Sequence, residues 1–161
     1  MEELAVIGLE NVLNLLDPET LKQRVKSGIG QLAVIGANAA KDEFASAQYE
    51  TGNDATVTVD VTDNGYNIVA EGESVLFIEF GAGIRYSSQR HPLSDMFGFG
   101  AGTYNPDSTN WANPKGWWFV ENGEAIHTYG NPPNMPMYHA GKKVVEEAPT
   151  IIGRAIADVR Y

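Results

Sequence analysis

The sequence has no cysteine, and this absence removes three classes of site at once. Disulfide frameworks, thiolate metal sites and cysteine nucleophiles all require that residue. Long apolar runs are lacking too, because no stretch approaches the roughly 20 residues of a bilayer span. The first ten residues, MEELAVIGLE, carry acids where a signal peptide carries lysines. We therefore expect a soluble protein that is neither secreted nor inserted in a membrane.

Basic residues are missing from one long segment. Residues 51–84 hold no lysine or arginine but six acids: Asp54, Asp60, Asp63, Glu71, Glu73 and Glu79. The next segment, residues 85–115, is slightly basic. With a net charge of −10, a wide grip on nucleic acid phosphates is not expected. The acids are typical of a solvated sheet face, and the alternatives are a surface that fits a basic partner or one that repels DNA.

The length and composition predict one α+β domain with its own core, since 161 residues with 43% hydrophobic content are few for two domains. Residues 1–50 read as helical. A short amphipathic helix is expected over residues 2–16, and Asp17 followed by Pro18 predicts the start of a second helix that reaches about Phe44. Its small-residue face beyond residue 33 suits close packing on a sheet or a neighbouring subunit.

The acidic segment predicts a hairpin followed by a core strand. Residues 55–62 and 66–71 alternate with a period of two around an Asp-Asn-Gly turn. The run VLFIEFGAGI, residues 75–84, reads as a buried strand or a short core segment, and we expect a third strand there. Glu79 inside that run is costly unless it is paired. We expect a structural acid that faces solvent or bonds to a specific group, such as the amides of the loop that follows.

Residues 85–115 lack any sustained period, and a loop of this length is functional or poorly ordered. Its aromatic side chains argue against plain disorder. Residues 116–130 predict a second hairpin with an Asn-Gly turn, and a closing helix is expected over 136–161, with a kink or restart near Pro149. The aromatic residues suit a protein interface better than sugar or base stacking; they are Tyr86, Phe97, Phe99, Tyr104, Trp111, Trp117 and Trp118.

The sequence offers no recognisable catalytic or cofactor motif. The spacing of His91, His127 and His139 matches no zinc signature, so a metal site formed by these residues with Asp95 is not expected. A GxSxG elbow, a P-loop and a dinucleotide fingerprint in its strand and helix context are all missing. We expect no cofactor, no metal and no catalytic residue.

Three segments carry a resemblance: FIEFGAGI, HPLSDMFGFGAGTY and NPKGWWFVENGEAIHTYGNPPNMPMYHAGKKV. Together they resemble the neck and tail-completion morphogenesis family of tailed bacteriophages, found also in prophages and phage-tail-like particles. The shared pattern is an (I/V)E(F/Y)G-G core, an aromatic glycine-rich insertion, a GWWY-like hairpin and a PPxxPM entry into a closing helix. The likeness covers about residues 70–145. Phe80 and Ala82 stand where tyrosine and threonine are frequent.

The resemblance implies an antiparallel sheet of hairpins covered by N-terminal and C-terminal helices, with the long loop as an arm between subunits. It also implies a structural virion protein, not an enzyme, that assembles in the bacterial host cytoplasm. There it would form a homo-oligomeric ring, expected to be hexameric, that joins the head connector or tail terminator to the tail. Neighbouring neck, terminator or tail-tube proteins are the implied partners, and DNA passes only through the channel.

Within that frame, five acids are candidates for lining the channel, where they would repel phosphates: Asp54, Asp60, Asp63, Glu71 and Glu73. Two other classes of function stay open. One is a hydrolase of cell-wall glycans built on Glu79, His91 and Asp95, and the other is a carbohydrate-binding or adhesion module. We expect Glu79→Gln to impair loop order or assembly more than any chemistry.

Overall fold

A computed structural model describes residues 17–47, 49, 53–98 and 113–157, and these residues form an α+β fold. The predicted helix over residues 2–16 lies outside the described residues, as does the middle of the predicted loop. The described α-helices and β-strands, in chain order, are α1 (Pro18–Ser46), β1 (Thr56–Thr62), β2 (Gly65–Glu71), α2 (Val75–Phe80), β3 (Trp117–Glu121), β4 (Glu124–Thr128) and α3 (Pro136–Ala157); a single 3₁₀ turn, Ser87–Gln89, follows α2.

Helix α1 begins where the sequence predicts, because the Asp17 carboxylate accepts the Thr20 N–H at 2.8 Å and Pro18 occupies the first turn. Its small residues let α3 approach closely. A Cβ on Gly36 would stand 2.6 Å from both Ile68 and Val144, so this face leaves no room for a larger residue. The predicted close packing therefore occurs within the chain, against α3 and β2.

The β1–β2 hairpin is confirmed, with Thr62 paired to Gly65 across a two-residue turn and Thr56 paired to Glu71 at the other end. Val57, together with half-buried Val59 and Ile68, packs against α1. The opposite face points to solvent. The core lies between the hairpin, α1, α2 and the start of α3, and its buried members are Ala37, Ala40, Phe44, Val57, Val75, Ile78 and Ala140.

The predicted core strand over residues 75–84 is wrong, because Val75–Phe80 form the short helix α2. Buried Val75, Ile78 and Glu79 follow the i, i+3, i+4 spacing of one helical face rather than the alternation of a strand. The chain turns into α2 where Asp54 accepts the N–H groups of the two residues before it. It leaves α2 at Gly81, whose φ of 76° favours glycine.

The second predicted hairpin is also confirmed, as β3 and β4 pair from Trp117 and Thr128 to Glu121 and Glu124 around an Asn-Gly turn. It does not join the first hairpin: the described strands form two separate two-stranded antiparallel sheets. None of its described side chains is buried. Only the first hairpin therefore fits the prediction of a sheet covered by helices.

Helix α3 begins at Pro136 as predicted and continues through Pro149 to Ala157. Of the two alternatives at Pro149, the restart is therefore wrong, and the kink stays a prediction. It runs antiparallel to α1: His139 Nδ1 lies 2.6 Å from Glu43 Oε2, and Arg24 donates to the Ile156 carbonyl at 3.0 Å. No helix within the described ranges is long and apolar enough to cross a membrane.

Candidate functional site

Glu79 is 6% exposed and bonds to the start of α3. Its Oε2 accepts the Met137 N–H at 2.8 Å, and its Oε1 accepts the Tyr138 N–H at 3.0 Å. Sequence reasoning suggested the amides of the following loop as partners, whereas the structure gives amides of the closing helix, nearly 60 residues along the chain. We refer to Glu79, His91 and the first turn of α3 as the Glu79 junction.

Helix α3 depends on this distant acid because its own sequence supplies no cap. The first turn of a helix leaves N–H groups without an intrahelical acceptor, and the residue before it often provides one from a Ser, Thr, Asp or Asn side chain. Here that position holds Met135, with a φ of 58°. Pro136 has no N–H, so the next two amides are the ones that need an acceptor, and Glu79 serves both. Its carboxylate also sits at the positive end of the helix dipole.

His91 completes the junction from the loop side. It is 3% exposed, and its Nε2 lies 3.0 Å from Glu79 Oε1. Its Nδ1 accepts the Leu93 N–H at 3.0 Å, so the proton of the neutral ring lies on Nε2, which donates to Glu79. The ring packs against Phe80 and Tyr138, with centroid distances of 4.4 and 5.3 Å. The junction thus ties the start of the 85–98 segment to both helices.

The carbonyl end of α2 is held by the segment that leads into α3. Asn131 donates from its side chain to the Phe77 carbonyl at 2.8 Å, and the Asn134 N–H donates to the Ile78 carbonyl at 2.8 Å. The two segments cross through glycines: a Cβ on Gly81 would meet Pro133 at 2.7 Å, and Gly130 packs against the Ala82 carbonyl. Each segment therefore satisfies the other's backbone groups, which makes residues 80–83 and 131–137 one structural unit.

This geometry leaves the junction little chemical freedom. Both Glu79 oxygens accept N–H groups and both His91 ring nitrogens are occupied, so neither side chain presents a free base to a substrate. Asp95 does not join them: its side chain is 83% exposed and pairs with Arg90. The trio considered for glycan hydrolysis is not assembled.

The histidines likewise do not converge. His127 Nε2 lies 3.0 Å from the Lys115 carbonyl and His139 pairs with Glu43. Within the described ranges, no group of three or more His, Asp or Glu side chains could hold a metal ion.

Asp54 has structural bonds of its own. It accepts the Ser74 hydroxyl, the Ser74 N–H at 2.9 Å and the Glu73 N–H at 2.7 Å. These bonds, led by that from the Ser74 side chain, lower the pKa of Asp54 to about 2. Gly72 must be small here, since a Cβ would stand 2.9 Å from Asp54. Of the five acids predicted to line a channel, Asp54 is thus occupied within its own chain.

The other four acids are exposed, and two share one face. Asp60 on β1 and Glu71 on β2 point away from α1, on the face that also carries Thr58 and Asn67. Asp63 lies in the turn at one end of the hairpin and Glu73 just beyond the other. The outer face of the first hairpin is therefore acidic from end to end.

The predicted interface aromatics fall into three groups. Phe99, Tyr104 and Trp111 lie outside the described residues. Half-buried Trp117 packs at Gly83, where a Cβ would meet its ring at 2.9 Å. Phe97 and Trp118 are 56% and 66% exposed. Trp118 contacts His127 at a centroid distance of 4.9 Å, and Tyr86 is half-buried.

Sequence reasoning missed the partners of Glu79 and Asp54. One signal was present: a closing helix that enters through Asn-Met-Pro-Met has no side-chain cap, while an unpaired acid stands in an apolar run. Comparison with protein families, curated proteins and solved structures found no match to this chain.

Proposed function

We propose that this protein is a structural component of a phage neck or tail-completion ring, which joins the connector or terminator to the tail and leaves a channel for DNA. The observation that supports it is the acidic outer face of the β1–β2 hairpin. Asp60 and Glu71 are exposed there, and residues 51–84 contain no lysine or arginine that would neutralise them. Such a face repels phosphates at short range, so DNA can slide along it without binding. The resemblance over residues 70–145 agrees with this role.

The Glu79 junction supports a structural role over a hydrolytic one. Every polar atom of the Glu79 and His91 side chains is used to hold α3 and the 85–98 segment. A junction of this kind gives a rigid base for a loop that contacts neighbours. We therefore expect Glu79→Gln to reduce assembly, with no hydrolysis of cell-wall glycan by either form.

The proposed joining role is tested on phage particles produced by the strain whose genome carries the gene. Deleting its gene should leave filled heads and tails that are not joined, as counted by electron microscopy, and the protein should appear in a ring at the neck of intact particles. Joined particles of normal infectivity in the deletion strain would contradict the proposal.

A second experiment addresses the acidic face. Replacing Asp60 and Glu71 together by lysine should leave joined particles that deliver DNA poorly, because the channel wall would then bind phosphates. The matched control is Glu146→Lys, which changes an exposed acid on α3. Equal DNA delivery by the double variant and the control would remove the support that the acids give.

A further inference from the structure

The first hairpin has an unpaired backbone edge that borders a groove. Because two residues close its turn, Thr62 and Gly65 form a hydrogen-bonded pair, and bonded pairs then alternate along the hairpin. The N–H and C=O groups of Tyr66, Ile68 and Ala70 therefore point away from β1. Among the residues that the structure describes, these N–H and C=O groups have no backbone hydrogen-bond partner. From Tyr66 to Ala70 the edge carries no charge, proline or bulge that would discourage pairing, and the charged Glu71 lies at the end of the strand.

Helix α3 forms one wall of the groove beside this edge. Residues 66–70 line it together with Met137, Ala140 and Gly141, and its volume is about 600 Å³. A Cβ on Gly141 would meet nothing within 4 Å, so the wall is open there. A volume of this size accommodates one or two large side chains.

The second hairpin offers the complementary edge. Its two-residue turn makes Glu121 and Glu124 a hydrogen-bonded pair, so the backbone groups of Trp118 and Val120 point away from β4. These two side chains are 66% and 74% exposed. An apolar pair of this kind, on a two-stranded sheet that no described helix covers, gains stability when another surface buries it.

We propose that β3 of one copy pairs antiparallel with the β2 edge of a second copy and inserts Trp118 into the groove beside α3. In an antiparallel sheet, hydrogen-bonded partners point their side chains to the same face. Trp118 and Val120 therefore share the face of Tyr66, Ile68 and Ala70, which is the face that α3 walls. A parallel pairing would turn Trp118 to the acidic face instead.

As the strand that a second copy adds to the β2 edge, β3 fits better than β1. Strand β1 also has an unpaired edge, on the other side of the first hairpin. The outward residues of β1 include buried Val57 and half-buried Val59, which α1 already covers. An incoming β1 would bring its own α1 to the side where α3 stands. None of the described helices lies on the β3 edge, and its exposed Trp118 and Val120 side chains can enter the groove.

Donor edge and acceptor groove are different surfaces, so this contact runs head to tail from copy to copy. A head-to-tail contact closes into a ring when the rotation allows it. The inference rests on the proposed ring for that closure, and it names the surfaces through which neighbouring copies meet.

The groove can be blocked without touching the core. Gly141→Leu places a side chain in the groove, and Gly153→Leu is the matched control, since both are exposed glycines of α3 with open space around the added Cβ. In sedimentation equilibrium, Gly141→Leu and Trp118→Ala should each weaken self-association about tenfold or more. Gly153→Leu should leave it unchanged, and circular dichroism should be the same for all three. Equal association of the two leucine variants, or a full-length chain that stays monomeric at its solubility limit, would overturn the contact.

Photocrosslinking locates the partner surface. A benzoylphenylalanine at position 118 is irradiated in a mixture of ¹⁴N-labelled and ¹⁵N-labelled protein, and the joined peptides are identified by mass. Mixed-label peptides that contain residues 66–70 or 137–141 are expected. Crosslinks to residues 56–62, links within one chain only, or links only to another protein of the particle would refute the contact. A neck ring without the crosslink would refute this contact alone, whereas crosslinked oligomers absent from the particle would refute the proposed function alone.

Discussion

The two long helices of this protein begin in opposite ways. At α1, Asp17 accepts the Thr20 N–H three residues away and the cap lies in solvent. At α3, the cap is Glu79, a buried side chain from another helix. The first cap stabilises only the helix that it starts. The second makes the start of α3, the end of α2 and the 85–98 segment depend on one carboxylate. Two caps made of the same kind of hydrogen bond therefore stabilise very different amounts of structure.

The largest expected effect comes from removing the distant cap. Glu79→Ala leaves the Met137 and Tyr138 N–H groups and His91 Nε2–H without their acceptor in a buried site. Unsatisfied buried donors are costly, so we expect the unfolding free energy to fall by about 3 kcal/mol or more. Urea unfolding measures it. The control Glu73→Ala, at an exposed glutamate just before α2, should leave stability nearly unchanged; similar losses for the two variants would remove the difference between local and distant caps.

Removing only the loop side of the junction should have a smaller effect. His91→Phe keeps an aromatic ring between Phe80 and Tyr138 but removes the donor to Glu79 and the acceptor of the Leu93 N–H. We expect a loss of about 1–3 kcal/mol. In a double-mutant cycle with Glu79→Gln, a coupling of about 0.5–3 kcal/mol is expected. Strictly additive losses would mean that the 3.0 Å contact contributes no stability.

The hydrogen bonds that the exposed Asp54 carboxylate accepts from Ser74 and Glu73 should make stability depend on pH. The folded pKa, about 2, lies below the ordinary value of 3.8, so the stabilisation is complete above about 3.8 and is lost as the pH falls towards 2. Asp54→Asn should therefore be less stable than the unchanged protein at pH 6, and thermal unfolding of the two should converge near pH 2. A difference that stays constant from pH 6 to pH 2 would contradict this assignment.

The difference between local and distant contacts also explains which features of the structure the sequence predicts. The start of α1 and both hairpins depend on neighbouring residues, and their cap and turn signals predict them. Pro136 also predicts where α3 begins, although the cap of that helix comes from Glu79. The six residues of α2 carry too short a pattern to separate helix from strand, and the bonds of Asp54 that turn the chain there come from about 20 residues away. The partners of Glu79 are more distant still. Sequence patterns predict that a buried acid needs a partner, but only the fold says which one.

The smallest expected effect is at the local cap. Asp17→Ala removes one solvent-exposed acceptor, and water can replace it at the Thr20 N–H. Amide exchange should therefore speed up over the first turn of α1 only, with little change in the unfolding temperature. The bond to Thr20 also lowers the pKa of Asp17, so this local effect should fade as the pH falls below the ordinary value of 3.8. Faster exchange that spread to α3 would mean that the two helix starts are coupled after all, and the comparison between them would no longer hold.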